Sequence, residues 1–236
     1  MYLQKRRRIP RTKKRKIEMA EVYNSVYRTS SAEIEEKKSR FIATVQAVTD
    51  KEEAEAFIAA CKKKYPDARH NCSAYILGED GQIEHSSDDG EPAGTAGKPM
   101  LEVLRGEKLT NVVVVVTRYF GGILLGTGGL VRAYTQAVKA GLEAGTIIQR
   151  IKGFRLGFSV SYTDVGKIQY FIRQNDYLLL DTIYEADVKC EVLVPAARLT
   201  EFSKGLTEAF SGRIEIKEKE DVLYSVKEDG EVLEIL

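Results

Sequence analysis

The clearest hydrophobic pattern in the chain is a strand and a helix separated by glycines. Val112–Val116 are five consecutive β-branched residues, which cannot alternate between a core and water, so they predict a strand buried on both faces. The helix that follows the glycines is predicted to run to Ala144. Its apolar residues recur at helical spacing and predict one buried face: Leu130, Tyr134, Ala137, Val138 and Leu142.

The sequence before the valine run predicts a mixture of strands and helices. Asp50 and Glu53 have the spacing of a capping box, so a helix is expected to begin there, and Pro66 is expected to stop it after Tyr65. The other elements predicted in this half are a strand over Arg40–Val48, a strand over Asn71–Leu77, a hairpin turn at Glu79–Gly81, a return strand over Gln82–His85, a polar loop over Ser86–Gly97 and a short helix over Lys98–Arg105.

The pattern changes after the segment Gly145–Gly153, which we take as the domain boundary. Phe154–Tyr162 alternates strictly and predicts a half-buried strand, whose aromatic face we expect to pack on helices. The elements expected beyond it are a helix capped by Thr163 or Asp164, strands over Leu178–Tyr184 and Ala186–Val194, a helix from about Ala196, a last strand over Arg213–Lys217 and an extra edge at Val222–Val226. The order βαββαβ is that of a ferredoxin-like domain over residues 154–226.

Composition narrows the class of protein. The 236 residues allow one large or two small domains of ordinary globular composition, and no apolar run reaches membrane-spanning length. The three cysteines, Cys61, Cys72 and Cys190, are widely spaced and only two histidines are present. We therefore expect no metal site, no disulfide framework and a cytoplasmic location.

The net charge of +1 hides an uneven distribution. Residues 1–18 hold nine of the 36 basic residues and one of the 35 acidic ones, which leaves 27 basic and 34 acidic residues, a formal charge of −7, in residues 19–236. Two interpretations of this basic arm are open: a tether for nucleic acid or the ribosome, or an extension upstream of Met19. We expect residues 1–18 to be disordered under either interpretation and residues 19–145 to form the first domain.

The glycines after the valine strand form a candidate binding loop. Residues 121–129 read GGILLGTGG, and the candidate residues within them are Gly121, Gly122, Gly126, Gly128 and Gly129. A glycine-rich turn between a strand and a helix amino terminus suits an anion such as phosphate. However, the stretch matches neither the dinucleotide-binding nor the P-loop fingerprint, so we favour the interpretation that these glycines serve tight packing alone.

Polar residues near these glycines are the other candidates for chemistry. His70 and Cys72 lie two apart on a predicted strand and so share a face, where they are either a thiol–imidazole pair or, as we favour, a strand-end hydrogen bonder and a core residue. Arg118, Tyr119 and Arg132 flank the glycines and suit phosphate binding and stacking, or ion pairing and core packing.

An acidic cluster lies in the polar loop before the valine strand. Asp88, Asp89 and Glu91 are candidates for holding magnesium or for pairing with the two arginines, but we favour the interpretation that they cap turns of their own loop.

Three blocks of sequence resemble the IMPACT family, specifically its bacterial YigZ-like branch. They are HNCSAYILG at 70–78, DDGEPAGTAGKPMLEVL at 88–104 and TRYFGGILLGTGGLVRAY at 117–134. The resemblance implies an α/β (α+β) protein with a ribosomal-protein S5 domain-2-like N-terminal domain followed by a ferredoxin-like C-terminal domain, a tandem also found in elongation factor G. It implies site residues only within these blocks: His70, Cys72, Asp89, Glu91, Arg118, Tyr119 and Arg132.

The resemblance also implies a role in translation. Eukaryotic relatives that share the first domain regulate translation, so we expect a cytosolic, non-enzymatic regulatory protein that contacts the ribosome or structured RNA, with translation-factor proteins as further partners. We expect no cofactor, and the oligomeric state stays open. The alternative is an enzyme or small-ligand binder whose two glycine-rich loops hold a phosphorylated or dipeptide-like ligand.

Both hypotheses share one structural prediction. We expect the 88–97 loop to fold against the 117–132 segment, which brings Asp89 or Glu91 within ion-pair reach of Arg118 or Arg132. The reason is that the valine strand is central, in a sheet that we expect to be mixed, and an arginine emerging from its end needs an acidic partner because an unpaired buried charge is costly.

Overall fold

The computed structural model describes residues 22–236 and, before them, the backbone of Arg7–Arg8. The predicted disorder of residues 1–18 therefore falls, apart from those two residues, outside the described part of the chain. The strands are β1 (Arg7–Arg8), β2 (Val22–Val26), β3 (Ser30–Glu36), β4 (Ser39–Ala47), β5 (His70–Leu77), β6 (Ile83–Ser87), β7 (Val112–Tyr119), β8 (Ile147–Val160), β9 (Leu178–Tyr184), β10 (Val188–Pro195), β11 (Ile216–Val226) and β12 (Glu231–Ile235). The α-helices are α1 (Lys51–Lys64), α2 (Gly97–Gly106), α3 (Gly126–Glu143), α4 (Val165–Gln174) and α5 (Leu199–Phe210).

The chain divides into two compact units, and the first comprises Tyr23–Ile148. Its five-stranded sheet has the order β3-β4-β7-β5-β6, so the valine strand β7 is central, as its composition predicts. Every neighbouring pair in this sheet is antiparallel. The expectation of a mixed sheet is therefore wrong, because β4 and β5 both run antiparallel to the central strand β7, which lies between them.

Helices on both faces explain why β7 consists of consecutive valines. Val112, Val114 and Val116 belong to the core that includes the buried residues of α2 and α3. Val113 packs on the opposite face with Ala54 of α1. A strand covered on both sides needs apolar residues at every position.

The predicted start of α1 is confirmed. The Asp50 carboxylate accepts a hydrogen bond from the Glu53 amide, and the Glu53 carboxylate accepts one from the Thr49 amide in return. Tyr65 is the C-cap, immediately before Pro66. The predicted buried face of α3 is also confirmed, since all five of its predicted residues are buried.

The second unit is built on Gln149–Leu236 and has the predicted ferredoxin-like topology. Its sheet has the order β1-β12-β11-β8-β10-β9, with the four strands of the βαββαβ motif antiparallel to their neighbours. The backbone of Arg7–Arg8 pairs with Val232 and Glu231 of β12. The core between this sheet and its helices includes Phe158 from β8, Ile168 from α4 and Phe202 from α5.

Four details of the second unit differ from the prediction. Strand β8 begins at Ile147 and so runs through the segment expected as the boundary. Tyr162 is exposed in a 3₁₀ turn rather than in the strand. The two short strands expected after Arg213 are one strand, β11, because its exposed charged run, Lys217–Asp221, continues the pairing with β8. Strand β12 was not predicted.

Candidate functional site

The carboxyl end of β7 is a buried polar corner. Arg118 lies opposite Phe41 on β4 and opposite His70 on β5, and its guanidinium is 5.3 Å from the centroid of the Phe41 ring. The Arg118 and Glu91 side chains are only 8% and 3% exposed, and their Nη1 and Oε1 atoms are 2.6 Å apart. The prediction that the 88–97 loop folds against the 117–132 segment is therefore confirmed, with Glu91 and Arg118 as the pair.

Two more side chains complete this buried cluster, which we define as Cys72, Glu91, Arg118 and Tyr134. The Tyr134 hydroxyl donates to Glu91 Oε1 over 2.8 Å. The Cys72 sulfur lies 3.3 Å from the Tyr134 hydroxyl and 3.0 Å from the Asp88 carbonyl oxygen. One carboxylate thus accepts from an arginine on the central strand and a tyrosine on α3, which ties the 88–97 loop, called the acidic loop below, to both elements.

Burial makes this cluster structural rather than reactive. It raises the pKa of the Cys72 thiol to about 12, although the hydrogen bond to Tyr134 acts in the opposite direction. Burial also raises the pKa of Tyr134, with the negative charges of its neighbours adding to the effect. Both groups therefore stay protonated at neutral pH. Since a thiol is nucleophilic as the thiolate, the core interpretation of Cys72 is supported over the nucleophilic one.

The two aspartates of the acidic loop are bonded to backbone groups. The Asp88 carboxylate accepts from the amides of Gly94, Ala96 and Gly97, so it closes its own loop at the start of α2. The Asp89 carboxylate accepts from the Asn71 amide and pairs with Lys62 at 2.6 Å. Among residues 22–236 no group of three or more His, Cys, Asp and Glu side chains is placed to hold a metal ion.

His70 also contacts this loop, but it does not pair with Cys72. Its Nδ1 atom lies 2.9 Å from the carbonyl oxygen of Asp89. Asp88 thus caps its own loop and Glu91 pairs with an arginine, as predicted, whereas Asp89 pairs with Lys62 and the Asn71 amide instead. His70 is the strand-end hydrogen bonder that we favoured.

We expect Asp88→Asn to lower the stability of the first unit by about 1–2 kcal/mol at neutral pH, because three hydrogen bonds from backbone amides lose a charged acceptor. Burial raises the pKa of Asp88, but the bonds from Gly94, Gly97 and Ala96 lower it by more, to below its ordinary 3.8. A carboxyl group whose pKa is lower in the folded than in the unfolded state stabilises the fold at pH values above its unfolded-state pKa. This stabilisation is lost as the pH falls through the folded-state pKa.

Thermal unfolding of wild type and Asp88→Asn over a pH series measures this linkage. The difference in the free energy of unfolding between wild type and Asp88→Asn should be constant above about pH 5 and should disappear below about pH 4. A difference that grows on acidification would contradict the assigned bonds.

The segment after this corner, Phe120–Gly129, we call the glycine loop. Gly121 donates its amide to Ser39 Oγ, and a Cβ atom at Gly121 would lie 2.0 Å from the carbonyl carbon of Lys38. Only glycine therefore allows the loop to pack against the β3–β4 turn. Gly122 and Gly126 have positive φ angles, and Cβ atoms there and at Gly128 would meet nothing within 4 Å. At the fifth glycine, Gly129, a Cβ would come within 3.0 Å of the Leu125 side chain.

The glycine loop also carries exposed apolar side chains, which the sequence analysis did not single out. Phe120, Ile123 and Leu124 are 51%, 43% and 81% exposed. The available signal was the run of large apolar residues among the glycines, which fits neither a strand nor a helix repeat. Helix α3 begins directly after them, and no side chain caps its amino end.

Tyr119 and Arg132, the remaining predicted residues, do not join the buried cluster. The Tyr119 hydroxyl donates to Asp67 over 2.8 Å, and Arg40 lies 5.5 Å from the centroid of its ring. Arg132 is exposed and takes part in none of the ion pairs within residues 22–236. The structure thus brings Arg118 but not Arg132 to the acidic loop.

A groove of about 570 Å³ lies between α2 and α3 in the first unit. Its lining includes Gly94 from the acidic loop, Lys98 and Lys139, but no residue of Gly121–Gly129. This groove therefore includes a residue of the 88–97 loop but none of the glycine loop.

Comparisons with known proteins agree with this architecture. The Impact N-terminal domain model matches residues 37–142, and a domain of unknown function, DUF1949, matches residues 158–213. The IMPACT family member YvyE of Bacillus subtilis is 43% identical over 202 residues, which cover 86% of this chain and 93% of that protein. The IMPACT family member YigZ of Escherichia coli is 40% identical over 182 residues, 76% of this chain and 89% of that protein.

A solved structure, described as that of a hypothetical protein, is 38% identical and superimposes with a TM-score of 0.55, covering 83% of this chain and 96% of the other. These matches span both units. The chain belongs to the IMPACT family. Within residues 22–236, none of the helices combines the length and the apolar character that a membrane crossing requires.

Proposed function

We propose that this protein is a cytoplasmic, translation-associated regulatory protein that acts by binding the ribosome or structured RNA, with the glycine loop as its contact surface. Membership of the family supports the translational role, since the resemblance implies that relatives sharing the first domain regulate translation. In this proposal residues 19–145 carry the binding surface, and residues 154–226 form an accompanying ferredoxin-like domain.

The observation that carries the proposal is an exposed loop on a rigid support. Phe120, Ile123 and Leu124 present apolar surface to solvent directly after the central strand. The buried pair of Arg118 and Glu91 fixes the chain immediately before them. Exposed apolar residues held in one conformation are typical of binding surfaces, because little conformational entropy is lost when a partner binds.

The chemistry of the corner supports binding over catalysis. The carboxylates of Asp88, Asp89 and Glu91 are occupied by amides, a lysine, an arginine and a tyrosine. The Cys72 thiol is protonated and inaccessible. Neither group is available as a general base or a nucleophile at neutral pH.

Sedimentation with purified ribosomes through a sucrose cushion tests the proposal. We expect the full chain to pellet with ribosomes and the bound fraction to fall between about 50 and 200 mM salt if phosphates contribute to the contact. A chain that begins at Met19 should behave alike, which separates the glycine loop from the basic arm. Failure of both chains to co-sediment at low salt would contradict the proposal.

A further inference from the structure

The exposed side chains of the glycine loop form a concentrated apolar patch. Phe120, Ile123 and Leu124 lie within five positions of the sequence, and Leu124 is the most exposed large apolar residue in the described part of the chain, at 81%. Single exposed apolar residues need no explanation, but a cluster on one loop indicates a partner that covers it. We define Phe120, Ile123 and Leu124 as the loop tip.

The rim of the loop tip is basic. The turn between β3 and β4 is Lys37–Lys38, and its backbone abuts Gly121 so closely that a Cβ there would overlap the Lys38 carbonyl. Lys37 and Lys38 take part in none of the ion pairs found among residues 22–236. Arg132 adds a third exposed cation one helical turn after Gly128, and residues 117–142 contain no aspartate or glutamate. Glu36, which precedes the turn, is the one acidic residue directly beside these lysines in sequence.

The lysines of this turn belong to a unit that is close to neutral. Residues 23–148 hold 15 basic and 17 acidic residues, a formal charge of −2. The positive charge of the rim is therefore local, and it favours a partner whose negative charge is confined to the size of the rim, since salt screens charges beyond about 10 Å.

The aliphatic part of the loop tip narrows the partner further. Nucleic-acid bases stack on aromatic rings and arginine planes, whereas Ile123 and Leu124 offer neither. Aliphatic side chains instead bind apolar side chains of another protein, with charged residues at the edge of the contact.

We propose that the loop tip, Lys37 and Lys38 together bind a protein segment that presents leucine, isoleucine or phenylalanine side chains beside aspartate or glutamate. This inference rests on the proposed function and narrows the contact at the glycine loop, from the ribosome or structured RNA, to a protein segment of the ribosome or of a translation-factor protein. The support is already fixed: the Arg118 guanidinium lies 5.7 Å from the centroid of the Phe120 ring and is itself held by Glu91. This contact ties the first residue of the loop tip to the buried cluster.

Selection from a random peptide library displayed on phage tests the inference with the full-length protein as bait. We expect enriched peptides to contain apolar residues adjacent to acidic ones. One such peptide, made synthetically and labelled, should bind Leu124→Ser about tenfold more weakly than wild type, because a central apolar anchor is lost. Ile83→Ser is the matched control, since Ile83 is also exposed, at 53%, but lies on β6 away from the loop tip.

Charge reversal tests the rim separately. Lys37→Glu combined with Lys38→Glu should weaken the peptide about tenfold at low salt and remove most of the salt dependence of wild-type binding. Lys204→Glu combined with Lys217→Glu changes the net charge equally on the second unit and should leave binding unchanged. Thermal unfolding of each variant shows that the fold is retained.

Several results would overturn the inference. They are an absence of enriched peptides, enrichment of basic peptides, binding that survives Leu124→Ser, or tighter binding to polyuridylate or to vesicles containing phosphatidylglycerol than to any acidic peptide. Self-association that masks the loop tip, detected by sedimentation equilibrium and abolished by Leu124→Ser, would overturn it also. None of these results depends on ribosome co-sedimentation, so failure of the proposed function is recognised independently.

Discussion

Replacement of Glu91 by leucine is expected to destabilise the first unit by about 3–5 kcal/mol, because it leaves a buried arginine without its counter-charge. Arg118 Nη1 is 2.6 Å from Glu91 Oε1, and both side chains are almost fully buried. The Arg118 Nε atom is buried without a hydrogen-bond partner, so the arginine depends on this one carboxylate for much of its compensation. The Tyr134 hydroxyl would lose its acceptor as well. Chemical denaturation followed by circular dichroism measures the loss.

Two further variants decide whether the ion pair is the cause. Glu55→Gln removes the partner of an exposed pair with Lys51 and should leave the denaturation midpoint unchanged, since exposed pairs contribute little. Combining Glu91→Leu with Arg118→Met should restore a large part of the lost stability, because the uncompensated charge is gone. If the double variant is as unstable as the sum of the single ones, the pair is not coupled as the structure shows.

Gly121→Ala is expected to lower stability by at least about 3 kcal/mol, because the added methyl group has no room and the neighbouring atoms are backbone. Its Cβ would lie 2.0 Å from the Lys38 carbonyl carbon and 2.4 Å from the Ser39 nitrogen. The β3–β4 turn would have to move away from the glycine loop. The melting temperature and the amide exchange rates in Lys37–Ser39 report the two effects.

Gly128→Ala is the matched control for this substitution. Gly128 lies in the first turn of α3, and its Cβ would meet nothing within 4 Å. Alanine there should raise stability by about 0.5–1 kcal/mol, because glycine is the poorer helix former. Equal destabilisation by the two substitutions would show that the glycines serve the loop conformation generally and not the contact with Lys38.

The sequence predicts the elements whose pattern reflects complete burial. The valine run and the five apolar residues of α3 are placed correctly, because each face they occupy is covered by another element. Strand β3, by contrast, is an edge strand with the sequence SSAEIEE and alternating exposure, so its polar residues hide its strand character. The same reason applies to β11, where an exposed charged run separates two apolar segments of one strand.

The candidate site is predictable in part. An arginine at the end of a fully buried strand needs a carboxylate, and this physical requirement leads to Glu91. The requirement does not identify Tyr134. Its helical spacing predicts that its ring is buried but does not indicate which group accepts a hydrogen bond from its hydroxyl. The loop tip could not be predicted in this way, because the exposure of Leu124 follows from the turn made by positive-φ glycines and not from any periodic pattern.

Whether the glycine loop is the surface that binds ribosomes is decided by the affinity of Leu124→Ser for purified ribosomes, measured by co-sedimentation beside wild type and Ile83→Ser. We expect Leu124→Ser to bind about tenfold or more weakly while its melting temperature stays within a degree or so of wild type, because an exposed side chain contributes to binding but little to folding. Ile83→Ser should bind as wild type does. Wild-type affinity in Leu124→Ser would contradict the claim.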